Sequence, residues 1–372
     1  MPSIMLGDIM QQFHIDAFEF GQLSGIYYLG YTAAHLPIGI MLDRYGPKKI
    51  MTGCILLMVV GLLPIIFSDK WIYSLLGRAL IGMGSSAAIL GTFKIIRMTF
   101  NEKLFPRMLS ISVTIGLIGA IYGGGPINYL SSALGYKTVV EILAYMGLFL
   151  AAFTYIIVPN ISAEHKSTVL SDIKTVFTNI KLIWVCVFAG LMLGPLEGFA
   201  DVWGIEFFKQ VYGFDAIVAS YLPSMIYIGM CFGSPVLNFI AEKIHNYFGV
   251  VVGSGVVMAI VFTLLVVGAL TQTTIAVSFI LVGVCCAYQI LAIYKASTYV
   301  PEHVTGLTTA VANMIIMAFG FIFHTVIGFV INICGGIHVS KAFVYGIAVI
   351  PIALCIGVIG FAFITYQESK LK

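Results

Sequence analysis

The chain has 372 residues, of which 60% are apolar and 9% charged, whereas soluble domains carry about 25% charged residues. A soluble fold of this length could not cover its surface with 19 basic and 16 acidic residues, and a net charge of +3 leaves no basic footprint for nucleic acid. Of the seven cysteines, Cys54, Cys186, Cys231, Cys285, Cys286 and Cys355 fall inside apolar runs, which makes them small core residues rather than a disulfide framework.

In chain order, the first 19 residues hold three acids and no lysine or arginine. They are too polar for a membrane span and lack the basic start of a signal peptide. Apolar runs long enough to cross a bilayer as helices follow near 20–42, 50–67, 72–96, 108–130 and 138–158. A polar, amphipathic stretch at 159–180 comes next and is expected to form a linker with a surface helix. Further runs lie near 181–203, 216–240, 248–270, 274–296, 306–333 and 341–366. The sequence therefore predicts an all-α membrane protein with eleven full spans.

Basic residues set the orientation. With Asp43 to Lys49 in the cytoplasm, that side collects Arg44, Lys48, Lys49, Lys94, Arg97, Lys103, Arg107, Lys166, Lys174, Lys181, Lys243, Lys295, Lys370 and Lys372. The other side receives only Lys70, Lys137, Lys209 and Lys341, so the linker and the C-terminus are expected in the cytoplasm.

The halves also echo each other at a spacing of about 200 residues. Gly39–Gly46 has a faint counterpart in Leu237–Ile244, Asn101-Glu102-Lys103 one in Pro301-Glu302-His303, and Lys137 one in Lys341. The opening MPSIMLGDIMQQFHID resembles the stretch from Gly194 to Asp215, with Pro2 on Pro195 and Asp8 on Asp201. Two six-helix bundles follow, at 1–158 and 181–372, with most of the first helix lacking. A start site placed too far downstream and a genuine eleven-helix variant both give this pattern.

GIMLDRYGPKK at Gly39–Lys49 resembles the cytoplasmic signature of the major facilitator superfamily, between helices two and three. GRALIGMGSSAA resembles the fourth helix of bacterial members, and the stretch from Phe199 to Pro235 is similar to helices seven and eight. The resemblance implies alternating access between two bundles. It also implies a gating role for Gly39, Asp43, Arg44, Gly46, Lys48 and Lys49, with Asp43 contacting helix eleven. The second copy of the signature is eroded, Glu242 and Lys243 standing for Asp-Arg.

Charges inside a span are costly and mark function. Arg78 heads a polar stripe on helix four with Gly82, Ser85 and Thr92, suited to an anion. The alternative is a structural arginine tied to a neighbouring helix. Glu197 on helix seven, with Asp201 one turn on, suits a proton carrier, an external gate or an ion pair with Arg78; Glu141 is a second candidate for the proton. Tyr27, Tyr31 and His35 share a face of helix two, Asn313, Gly320 and His324 one of helix eleven, and Gln289 lies beside Tyr288 and Lys295 on helix ten. Tyr27, Tyr31, Ser85, Gln289 and Asn313 are the expected substrate contacts alongside Arg78. Taken singly, such residues also serve as interhelical hydrogen bonds. Lys94 is expected to snorkel to the headgroups. The glycines from Gly116 to Gly125, with Pro126, are expected to pack and bend helix five.

The expectation is a monomeric secondary transporter of the bacterial inner membrane, moving a small polar anion with protons and using no cofactor or metal. Export of drugs or siderophores is the alternative within the class; a transporter-like sensor or assembly partner without flux is the alternative outside it. ATP-driven transport is not expected, because no phosphate loop occurs, and enzymatic activity is not expected, because no His-Glu-x-x-His, clustered metal ligands or Gly-x-Ser-x-Gly motif occurs.

Overall fold

The computed structural model describes residues 5–101, 104–159, 169–301 and 304–370. The linker residues 160–168, together with Pro2, Glu102, Lys103, Lys166, Glu302, His303 and Lys372 of the comparisons above, lie outside them. The first part runs α1 (Leu6–Phe13), α2 (Ala17–Tyr45), α3 (Pro47–Phe67), α4 (Trp71–Thr99), α5 (Phe105–Tyr122), α6 (Gly125–Leu134) and α7 (Tyr136–Ile157). The amphipathic α8 (Val169–Phe177) falls in the expected linker. Then come α9 (Ile180–Gly198), a π-helical turn (Phe199–Trp203), α10 (Gly204–Tyr212), α11 (Ala216–Tyr221) and α12 (Ser224–Ile244). The chain closes with α13 (Tyr247–Val267), α14 (Gln272–Cys286), α15 (Tyr288–Ser297), α16 (Thr305–Ile333) and α17 (Ser340–Lys370).

Among the described residues, nine helical stretches are long and apolar enough to cross a membrane, and α5 with α6 makes a tenth, bent by 42°. That bend falls at Gly123-Gly124, where the glycine cluster is expected to soften helix five. The eleventh expected span, α2, is not among these ten, although its 29 residues are long enough. The reason is its position. It lies between α4 and α16, so much of its surface faces protein, and polar residues such as Tyr28, Tyr31 and His35 are buried there without meeting lipid.

Local chemistry fixes the entry to α2. Asp16 and Glu19 form a reciprocal capping box, and the Asn332 side chain at the end of α16 donates to Asp16 at 2.8 Å. The two parts of the chain meet mainly through α2 against α16 and α5 against α12. The closest α2–α16 approaches put Ala17 against Gly328, Gly21 against His324 and Gly25 against Phe321. All three involve the start of α2 and the later part of α16. At the same end of the molecule, Gly124 abuts Ser224 and Asn128 reaches the Ala216 carbonyl at 3.4 Å.

Candidate functional site

Two small-residue crossings bring the polar side chains together. A Cβ on Gly82 would lie 2.0 Å from the Tyr27 carbonyl oxygen, and one on Gly30 would lie 2.3 Å from that of Ala79. Only glycine lets α4 approach α2 this closely. The approach sets the Arg78 guanidinium over the Tyr27 ring, 5.4 Å from its centroid, with a long 3.4 Å hydrogen bond to the Ser24 carbonyl. Among the described residues, no carboxylate lies within ion-pair distance of Arg78. Ser85 shares this region, its hydroxyl donating to the Gly82 carbonyl at 2.9 Å.

Along α2, Tyr27 stacks on Tyr31 and Tyr31 leans on His35, at 6.5 and 5.0 Å between centroids. From α16, the Asn313 amide donates to the Tyr31 hydroxyl at 3.4 Å, and Gln289 of α15 donates to Asn313 at 3.1 Å. The structure thus joins Arg78 to Tyr27, and Tyr31 to Asn313 and Gln289. Tyr288 stands apart. It is buried and donates to the Ala189 carbonyl at 2.7 Å, bracing α15 to α9.

The Tyr28 hydroxyl crosses from α2 to reach Glu197 at 2.9 Å and Asp201 at 2.5 Å. Tyr227 of α12 donates to the other Asp201 oxygen at 2.5 Å. Glu197 and Asp201 are half-buried, and Tyr28 is buried beneath them against His324, ring centroids 5.1 Å apart. The π-helical turn begins two residues after Glu197 and holds Asp201. Such a turn widens the helix, and single π turns are frequent at functional sites. Asp201 stands where the sequence places it, one turn on from Glu197, the four-residue spacing putting both carboxyls on one helix face. Tyr28 and Tyr227 are absent from the expected site residues, and no spacing marks them.

Other expected residues lie elsewhere. Glu141 is exposed on α7 and is not part of the carboxyl cluster. Asp43 is bound not to α16 but to Lys94 of α4 at 2.7 Å, and Lys94 also donates to the Leu42 carbonyl at 2.7 Å. Lys94 therefore turns back onto the end of α2 instead of reaching outward, since a carboxylate and a carbonyl of the last turn lie within its reach. Gly46 makes the turn between α2 and α3 at φ +81° and Gly39 faces Leu90. Arg44 and Lys49 are exposed, and Lys48 lies over the Tyr155 ring at 4.7 Å.

At the corresponding end of the second part, Lys295 pairs with Glu368 at 3.7 Å and the Tyr299 hydroxyl donates to the same carboxylate. Burial, with the Glu368 hydrogen bond and charge adding to it, raises the Tyr299 phenol above its ordinary value.

The sequence model of the Major Facilitator Superfamily matches residues 1–325. The chain belongs to the major facilitator superfamily. It is 28% identical over 157 residues to the inner membrane transport protein YajR of Escherichia coli K12, covering 42% of this chain and 34% of YajR. It is 25% identical over 202 residues to the 3-(3-hydroxy-phenyl)propionate transporter of the same organism, covering 51% of this chain and 48% of that protein. The matches thus span about a third and about half of these curated relatives. In fold, it superposes on a bacterial homologue of the human lysosomal transporter Spinster, solved inward-facing and occupied, with a TM-score of 0.76 at 15% identity. That likeness covers 98% of this chain and 92% of the other. As a superfamily member with membrane-crossing helices throughout, the chain is a multi-pass membrane protein.

Proposed function

We propose that this protein is a secondary transporter of the bacterial inner membrane that moves a small organic anion together with a proton. Residues 1–158 and 181–372 act as its two rocking bundles, and the C-terminus lies in the cytoplasm. The observation that carries the reading is the Tyr28 hydroxyl, shared across the two bundles by Glu197 and Asp201. A phenol has one hydrogen to give. Both contacts are satisfied together when one of the two carboxyls carries a proton and donates back to the phenol oxygen. Loss of that proton leaves two carboxylates competing for one hydrogen, which weakens the bundle contact and couples proton release to rearrangement.

Arg78 supplies the anion half of the reading. An intramembrane guanidinium with one long hydrogen bond lacks the partner such a charge requires. A substrate carboxylate provides it, with Tyr27, Tyr31, Ser85, Asn313 and Gln289 orienting the remainder. A carboxylic acid is also what the name of the 3-(3-hydroxy-phenyl)propionate transporter specifies for that relative. In proteoliposomes, an inward proton gradient should drive accumulation of organic acids above equilibrium. Glu197→Gln should abolish accumulation while keeping counterflow exchange. Uphill uptake by that variant at the wild-type rate would remove the proton role, and absence of exchange with any acid would favour the sensor reading.

A further inference from the structure

The two halves of the chain cross their helices at matching places. In the first, a Cβ on Gly30 would lie 2.3 Å from the Ala79 carbonyl oxygen, and one on Gly82 would lie 2.0 Å from that of Tyr27. In the second, the same contacts recur between Gly229 and Ile280 and between Gly283 and Ile226, both at 2.0 Å. Gly30 stands to Gly229, and Tyr27 to Ile226, at one sequence spacing, and Tyr28 stands to Tyr227 at that same spacing. Two tyrosines from corresponding places, one in each half, thus converge on a single carboxyl. Tyr28 donates to one Asp201 oxygen and Tyr227 to the other, each at 2.5 Å. Glu197 is joined to the Tyr28 hydroxyl at a longer 2.9 Å, and among the described residues its carboxyl has no other hydrogen bond. Hydroxyl bonds to an ionised oxygen run at about 2.5–2.7 Å and neutral ones nearer about 2.8 Å. The single Tyr28 hydrogen therefore points to Asp201, and a proton on Glu197 closes the longer contact.

We propose that Tyr227 is a positioning residue that holds Asp201 as the carboxylate and thereby leaves the proton on Glu197. Two carboxyls one helical turn apart resist ionising together, so a donor that stabilises the charge on one retains the proton on the other. The remaining titratable groups within electrostatic reach of the pair are Tyr27 of α2, Arg78 of α4, Cys286 of α14, Tyr288 of α15 and His324 of α16. The fixed positive charge among them, Arg78, acts on Asp201 and so works in the same direction as Tyr227. Tyr227 and Asp201 belong to the same half, so their bond persists when Tyr28 withdraws with α2, whereas Glu197 then loses the one bond it has. This deepens the proton reading given above and names which carboxyl carries the proton, but it concerns a resting charge state and does not require flux.

Dicyclohexylcarbodiimide, an apolar reagent that adds to protonated carboxyls, tests it on the full chain in nanodiscs at neutral pH, with the adduct located by peptide fragmentation in the mass spectrometer. In the wild type the adduct should form on Glu197 and spare Asp201. Tyr227→Phe should raise the ratio of Asp201 to Glu197 labelling about tenfold or more, the loss expected for a hydrogen bond to a charged group. A tyrosine that merely packs would leave that ratio unmoved. A wild-type adduct on Asp201, or on neither carboxyl, would overturn the assignment whatever the folding of the variant. So would an unchanged ratio in Tyr227→Phe that keeps the wild-type thermal midpoint. Labelling of Glu197 that depends on Tyr227 in this way, without proton-driven uptake in proteoliposomes, would support the assignment while ending the transport reading.

Discussion

The Tyr28 hydroxyl is a single group on which two carboxyls and two halves of the molecule depend. Removing it as Tyr28→Phe keeps the ring against His324 and Gly320 but leaves Glu197 without its hydrogen bond from the phenol. Hydrogen bonds to charged groups contribute about 1.5–3 kcal/mol. The variant should therefore unfold at a midpoint a few degrees lower in detergent, and proton-driven uptake should fall about tenfold or more. Tyr129→Phe, at an exposed position of α6 outside both the carboxyl pair and the proposed substrate contacts, should leave uptake intact; equal losses in the two variants would show that the bridge has no special role. Sequence spacing reveals which residues share a helix face, and so it groups Tyr27 with Tyr31 and Arg78 with Ser85. It carries no information on what a face meets across the molecule. For that reason the bonds from Tyr28 and Tyr227 to Asp201 stay hidden until α2, α12 and the π-helical turn after α9 are assembled, Asp43 pairs with Lys94 and not with α16, and Glu141 proves to be on an exposed face of α7.

At the scale of the helices, ten of the eleven expected spans are long and apolar enough to cross a membrane among the described residues, because the cost of burying backbone in lipid forces each apolar run into a helix. Hydropathy does not distinguish a helix that faces lipid from one that faces protein, which is why α2 is as long as its neighbours yet less apolar than they are. Close packing in the second part relies on paired glycines. A Cβ on Gly283 of α14 would lie 2.0 Å from the Ile226 carbonyl of α12, and one on Gly229 would lie 2.0 Å from that of Ile280. Backbone atoms cannot yield as a side-chain tip can, so Gly283→Ala must push the two helices apart. It should cost about 1–3 kcal/mol, the usual penalty of overpacking, and lower the thermal midpoint measurably. Gly116→Ala in α5 is the control, since a Cβ there meets nothing within 4 Å and alanine favours helix. An unchanged midpoint in Gly283→Ala would mean that α12 and α14 slide past each other freely.

For the whole molecule, the position of the contacts between the halves decides which way the structure opens. Ala17 with Gly328, Gly21 with His324, Gly124 with Ser224 and Asn128 with Ala216 all gather at one end, the end opposite Asp43 and Lys94. In the proposed topology, with Asp43 in the cytoplasm, the gathered end faces outward and the arrangement is closed on that side. Transport by alternating access then requires these contacts to separate in every cycle, and a covalent tie across them must stop it. In a background with the seven native cysteines replaced, Asn128→Cys with Ala216→Cys should be joined by a short bifunctional thiol reagent, because the native residues approach to 3.4 Å. The joined protein should lose uptake almost completely, and a reducible reagent should restore it on cleavage. The same pair should react more slowly when a saturating substrate shifts the population toward an outward-open state, since a ligand moves such an equilibrium only by binding one state more tightly. Uptake at the full rate in the tied protein would show that the two halves do not part there, and the rocking of one bundle against the other would have to be abandoned for this chain.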